Sequence, residues 1–287
     1  MGNTGTSTSA KTASSGTDKV LECQKTSAGV AIVTLNRPDS LNALNTDLLD
    51  ALHAIFERLN HDRETRVIIL TGAGRGFCSG ADMMASAQPG DIPGTQNMGE
   101  LGFVYRYQEY LARLIETIRG CDKPVIAAVN GVAVGGGLAL ALASDIRLAA
   151  PQARFGAVFI KTGLSACDVG TSYLLPRLVG PGHAAELMLT GRVINAEAAL
   201  EIGLVNRVVA ADDLILEAQR LATEIAANSE YGVWMTKKGL AAGIDAPSLA
   251  HAMEMENRTQ VLGYFTGCME AAREAFARGT SPEWPSL

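Results

Sequence analysis

Two apolar runs, Val67–Leu70 and Val125–Val129, each give way at once to a stretch dense in glycine: VIILTGAGRGFCSGAD in one case and VIAAVNGVAVGGGLAL in the other. No other feature constrains the fold of this chain so tightly. An apolar run without polar alternation belongs to a strand buried on both faces, the usual condition of a parallel sheet covered by helices. A glycine turn directly after such a strand presents main-chain N–H groups that can hold an anion, or a carbonyl oxygen that becomes one during a reaction. Side chains there stay small so that another group can reach the backbone. One such turn is weak evidence; two, each after a buried strand, can aim N–H groups at a single oxygen.

The segments around these turns alternate strand and helix. Gly29–Asn36 is β-rich and ends in the turn RPDS; NTDLLDALHAIFERLNHD then spaces Leu48, Leu52, Ile55 and Leu59 as a helix does, with Asn45 or Thr46 as its N-cap. Residues 85–100 read as a loop, and ELGFVYRYQEYLARLIETIRG as a helix with Leu111, Leu114, Ile115 and Ile118 on one side. A short strand IRLAA, helical pieces separated by glycines (GTSYLLPRLVG, HAAELMLTG, NAEAALEIG) and LVNRVV complete this region. From Asp212 onward the pattern is almost wholly helical. The expected organisation is therefore a polar, disordered tail over residues 1–18, an α/β core over 19–211 with a mostly parallel sheet, and a helical C-terminal region over 212–287.

Several function classes drop out. Gly72-Ala73-Gly74-Arg75-Gly76-Phe77 places its third glycine one residue too early for a dinucleotide fingerprint; no Walker lysine follows, and no G-x-S-x-G occurs. A net charge of −6 leaves no basic stripe for nucleic acid, and no apolar run reaches the length of about 18 residues that spans a membrane. The five cysteines are far apart and the four histidines lack ligand spacing, so reduced thiols, no metal and a cytoplasmic location are expected. His53 and His61 read as surface residues of their helix.

The segments LNRPDSLNAL, GFCSGADM, KPVIAAVNGVAVGGGLAL and SDIR, in this order and spacing, resemble the crotonase, or enoyl-CoA hydratase/isomerase, superfamily over roughly residues 20–280. The resemblance implies a crotonase-like spiral of ββα units with a helical C-terminal trimerisation region, assembled as a homotrimer or as a hexamer made of two trimers. It implies an acyl-CoA or enoyl-CoA thioester as substrate, with coenzyme A brought by that substrate and no separate cofactor. The thioester enolate would be held by the N–H groups of Ala81 and Gly136. Ala81, Asp82, Met83 and Met84 match the substrate-contacting segment, and Ser40 and Leu41 the turn that touches coenzyme A. Asp39 stands where many members carry a basic residue, leaving Arg75 as the candidate partner of the nucleotide phosphates. Asp82 itself reads as a turn or cap residue, and Asp145 as structural.

Hydratases of this superfamily position and deprotonate water with two glutamates. The matching residues here are Ala139 and Phe159, neither of which transfers a proton. GLSACDVGTSYLLPRLVG instead resembles the ADVGT segment of dienoyl-CoA isomerases, whose aspartate moves a proton along the acyl chain; a similar aspartate occurs in ring-oxepin isomerases of phenylacetate breakdown. Aligned on DVGT that residue is Asp168; aligned from Gly163 it is Cys167. An apolar pocket would raise the pKa of Asp168 by desolvation. The competing structural role is to N-cap the helix that follows. The expectation is an acyl-CoA enzyme favouring isomerase-type proton transfer. The alternatives are an enoyl-CoA hydratase of fatty-acid β-oxidation using an unrecognised base, and an acyl-CoA-binding protein with little catalysis.

Overall fold

A computed structural model describes residues 20–85 and 87–287, so the tail expected over residues 1–18 lies outside the described part. The larger sheet has six strands: β1 (Leu21–Lys25), β2 (Val30–Leu35), β3 (Val67–Gly72), β5 (Val125–Val129), β7 (Ile146–Ala149) and β10 (Arg207–Val208), side by side in that order. Only β1 and β2 pair antiparallel; the remaining neighbours are parallel. A second sheet carries β4 (Gly76–Cys78), β6 (Val132–Val134), β8 (Arg154–Gly156) and β9 (Ile194–Asn195), parallel but for the last pair. The glycine-rich stretches expected to be turns alone thus each contain a strand, β4 or β6. Three residues are too few to show a period in sequence.

Burial on both faces of the large sheet explains its unbroken apolar runs. Alternate residues Val67, Ile69, Ile126 and Ala128 pack against Leu214, Ala218 and Ala222 of α6 (Leu214–Ala226), while Ile68, Leu70, Val125, Ala127 and Val129 enter the main core. That core lies between the sheet and α1 (Thr46–His61), α3 (Gly136–Ala143), α4 (Thr171–Thr190) and the second sheet. Asn45 caps α1 by accepting the Leu48 N–H at 3.1 Å. His53 departs from expectation: it is half-buried, stacked on Tyr110 of α2 (Glu100–Gly120) at 4.4 Å between ring centroids.

Ionic contacts hold the frame. Asp145 accepts the Val125 N–H at 2.8 Å and the Lys237 ammonium at 2.7 Å, tying the start of β5 to α7 (Glu230–Ile244) in the structural role expected of it. The buried Arg147 guanidinium donates to the carbonyls of Ser144 at 2.6 Å and Leu204 at 2.8 Å. It lies at the C-terminal, negative end of α3 and complements that helix's dipole. The opposite, positive end of α3 begins at Gly136.

Two expected helical pieces merge into α4, which kinks at Gly180, while the long C-terminal run splits at Gly267 (φ +77°) into α8 (Leu249–Tyr264) and α9 (Cys268–Arg278). These last helices expose large apolar side chains, with Phe265 85% and Phe276 89% exposed, and α8 buries none of its residues. Among the described residues no helix is long and apolar enough to cross a membrane.

Candidate active site

The first turn is built on buried Asn42. Its side chain accepts the Arg37 N–H at 2.8 Å and donates to the carbonyls of Ala73 at 3.0 Å and Gly76 at 2.8 Å. Leu41 and Asn42 take left-handed backbone conformations (φ 52° and 56°), so the chain doubles back against β4. Ser79 then donates its N–H to the Leu41 carbonyl at 3.0 Å and its hydroxyl to the Ser40 carbonyl at 3.3 Å. Leu44 pairs with the strand beyond, donating to Gly80 at 2.8 Å and accepting from Asp82 at 3.0 Å. This bridge leaves the N–H of Ala81, between them, facing away.

The second turn meets the first at Gly80. Its φ of +91° already favours glycine, and a Cβ there would stand 2.9 Å from the Val134 carbonyl and 3.0 Å from the Gly136 nitrogen. A Cβ on Gly137 would stand 1.9 Å from the Cys78 carbonyl, so the helix starts hard against β4. Gly135, at φ 56° and ψ −125°, turns the chain so that Gly136 opens α3. A Cβ on Gly136 would stand only 3.8 Å from the Ala81 nitrogen. The two amides are therefore neighbours, and neither N–H has an acceptor among the described residues. The smallness of Ser79-Gly80-Ala81 thus has two causes, loop-against-loop packing at Gly80 and an open amide at Ala81.

Asp82 points back into the protein. It pairs with Arg37 at 2.9 Å and accepts the Met84 N–H at 3.1 Å, and the Arg37 hydrogen bond holds its carboxyl below the usual carboxylate range. The carboxylate is spent on fixing the turn, so Ala81 contributes its backbone while Asp82 secures it. Met83 and Met84, 80% and 93% exposed, stand at the rim. Burial pushes the Cys78 thiol up to about 12, keeping it protonated and unreactive beside the turn.

Helix α2 packs against α3 and reaches Asp168. Burial, with the Asp82 charge adding to it, pushes the Tyr107 hydroxyl above its ordinary value, and the next residue, Gln108, donates its side-chain amide to Asp168 Oδ1. The same Oδ1 accepts the Val169 N–H at 2.8 Å. Asp168 is half-buried, and with two N–H donors on its carboxylate it is not enclosed by apolar groups alone. Nor does its carboxylate cap α4: Gly170 is the N-cap residue, without a side-chain bond. Cys167 is exposed. Phe159 stands against the second turn, its ring carbon 3.8 Å from a Cβ placed on Gly135, and Ala139 is fully buried inside α3.

The enoyl-CoA hydratase/isomerase family model matches residues 25–286, which takes in both turns, α2 and the helical C-terminal region. The chain belongs to the enoyl-CoA hydratase/isomerase family. Among other members, it is 42% identical to a Mycobacterium bovis protein named "Probable enoyl-CoA hydratase echA12", over 88% of each chain. It is 35% identical to the 1,2-epoxyphenylacetyl-CoA isomerase of Escherichia coli, over 89% of this chain and 95% of that one. The crystal structure of a "probable enoyl-CoA hydratase/isomerase" from Mycobacterium abscessus superposes with a TM-score of 0.86 at 38% identity, covering 92% of this chain and 98% of the other. The crotonase fold and an enzyme of hydratase/isomerase type acting on acyl-CoA follow from this membership.

The structure gathers Ser40, Leu41, Ala81, Asp82 and Gly136 around one pair of turns, and it ties Asp168 to Gln108 of α2. Asn42 and Gln108 were not singled out in sequence. The visible signal for Asn42 was a polar residue inside the otherwise apolar stretch LNAL, and that for Gln108 was a polar residue among Val104, Tyr105, Leu111 and Ala112 at helical spacing.

Proposed function

We propose that the chain is an acyl-CoA isomerase in which the Ala81 and Gly136 amides hold the thioester oxygen while Asp168 carries a proton. The observation that carries this reading is the pair of unpartnered N–H groups, one from each turn, set side by side. Hydrogen-bond donors fixed before the reaction stabilise an oxyanion by about 3 kcal/mol each, because no reorganisation is needed as charge develops. The positive end of α3 adds to the same field. Removing a proton from the carbon next to the thioester leaves an enolate whose charge rests on that oxygen. Asp168, half-buried, takes the proton and returns it farther along an unsaturated chain. Ala139 and Phe159 in place of the two glutamates support proton shuttling over water addition. Ser40, Leu41, Met83 and Met84 would line the approach of coenzyme A and the acyl group, and Arg75, exposed beside the first turn, would meet the nucleotide phosphates.

The test is a comparison of crotonyl-CoA with 3-enoyl- and 3,5-dienoyl-CoA, following absorbance and deuterium uptake from solvent. Slow hydration of the first, with isomerisation or exchange on the others, is expected. Rapid hydration of crotonyl-CoA with neither isomerisation nor exchange would sink the proposal. It would favour the hydratase reading that the printed name of the Mycobacterium bovis relative supports.

The exposed apolar faces of α7, α8 and α9 support assembly as a homotrimer, alone or paired into a hexamer; the cytoplasm is the compartment proposed for it. Sedimentation is expected to give three or six times the chain mass of 30.1 kDa. A monomer at micromolar concentration would refute that assembly.

A further inference from the structure

Two donors crowd one oxygen of Asp168. Gln108 Nε2 and the Val169 N–H both give their hydrogen bonds to Oδ1, and Oδ2 has no partner among the described residues. The Val169 contact is local and sets the carboxylate relative to its own loop, where Val169 takes a φ of 36°, a left-handed value rare for a β-branched residue. The Gln108 contact crosses 60 residues of sequence and ties that loop to α2. Helix α2 also packs against α3, the helix that opens at Gly136. One helix therefore lies against the helix that begins at Gly136 and holds the loop of the proposed proton carrier.

We propose that Gln108 is a positioning residue: by occupying Oδ1 from α2, it fixes the Asp168 carboxylate so that Oδ2 alone exchanges protons with the acyl chain. The inference rests on the function proposed above. In the forward step Oδ2 forms a bond to the proton on the carbon next to the thioester. The C–H electron pair moves into the enolate, whose charge is held at the thioester oxygen. In the return step the O–H bond of the protonated carboxyl breaks, and the proton goes to the far carbon of the conjugated system. The double bond shifts by one position, and nothing is oxidised or reduced. A carboxylate free to rotate would offer either oxygen at varying angles and lose the alignment on which such a transfer depends. Gln108 touches no reacting atom in this scheme; it acts only through Asp168.

The experiment measures kcat and KM for 3-enoyl-CoA isomerisation in Gln108→Met, in Asp168→Asn and in the double variant, together with the thermal midpoint of each. Methionine keeps the length of glutamine and removes its donor. Gln108 is exposed, so the fold is expected to survive. Gln108→Met is expected to lower kcat about tenfold while KM stays within about twofold, the signature of lost alignment with substrate binding intact. Added to Asp168→Asn, it is expected to cause no further loss, because its effect passes through that carboxylate. Gln108→Glu, which also lacks the donor, is expected to match Gln108→Met or exceed it. An unchanged kcat in Gln108→Met, beside an inactive Asp168→Asn, would overturn the role of Gln108 and leave the proton carrier in place. An equal further loss in the Asp168→Asn background would overturn it as well. A fully active Asp168→Asn would instead remove the function proposed for Asp168 and this inference with it.

Discussion

Asp168→Asn is expected to abolish isomerisation and solvent exchange on 3-enoyl-CoA, lowering kcat about a thousandfold, within the range that general acid–base groups contribute. The substitution is chosen for what it keeps. An asparagine carbonyl can still accept from Gln108 and from the Val169 N–H, so the loop and its tie to α2 persist. What disappears is the carboxylate that takes up the proton and returns it. KM and the thermal midpoint are accordingly expected to stay close to those of the unchanged chain. Cys167→Ser is the matched control, because the alternative alignment puts the carrier there and the Cys167 side chain is exposed and unpaired in any disulfide among the described residues. Exchange that survives in Asp168→Asn but vanishes in Cys167→Ser would move the proton carrier by one residue.

The ease of reading Asp168 and the difficulty of reading its surroundings have one physical origin. The long strands were legible because each residue of Val67–Leu70 is buried, whichever face it points to, and such a run needs no partner to be recognised. The turns were legible because Gly80, Gly135 and Gly137 are each required by a backbone contact or a positive φ that any larger side chain would violate. The strands β4, β6 and β8 were not, since pairing rather than composition makes three-residue strands. Likewise the setting of Asp168 depends on a contact 60 residues away; Gln108 stands out as a polar residue among apolar helical neighbours, but nothing in its spacing names Asp168 as its partner.

Gly136→Pro is expected to lower kcat by about a hundredfold to a thousandfold, the cost of deleting one oxyanion donor, while the fold survives. Gly136 is the first residue of α3, where proline is well tolerated because that N–H has no partner within the helix. The residue before a proline is driven from the helical region toward the extended one. Gly135, at φ 56° and ψ −125°, occupies the mirror image of an extended conformation, which glycine can hold. The added Cβ would meet Leu44 Cδ1 at 3.1 Å, the far end of a flexible side chain. The ring also places a methylene where the N–H pointed, so the thioester oxygen loses its second donor and meets an apolar surface instead. Binding of a saturated acyl-CoA, measured calorimetrically, is expected to weaken far less than turnover, because the donor acts mainly on charge that develops during the reaction. Equal losses in binding and in turnover would show that this amide holds the ground-state carbonyl as tightly as the enolate. Unchanged turnover would remove Gly136 from the oxyanion site, leaving Ala81 as its one assigned donor and the convergence of the two turns as packing.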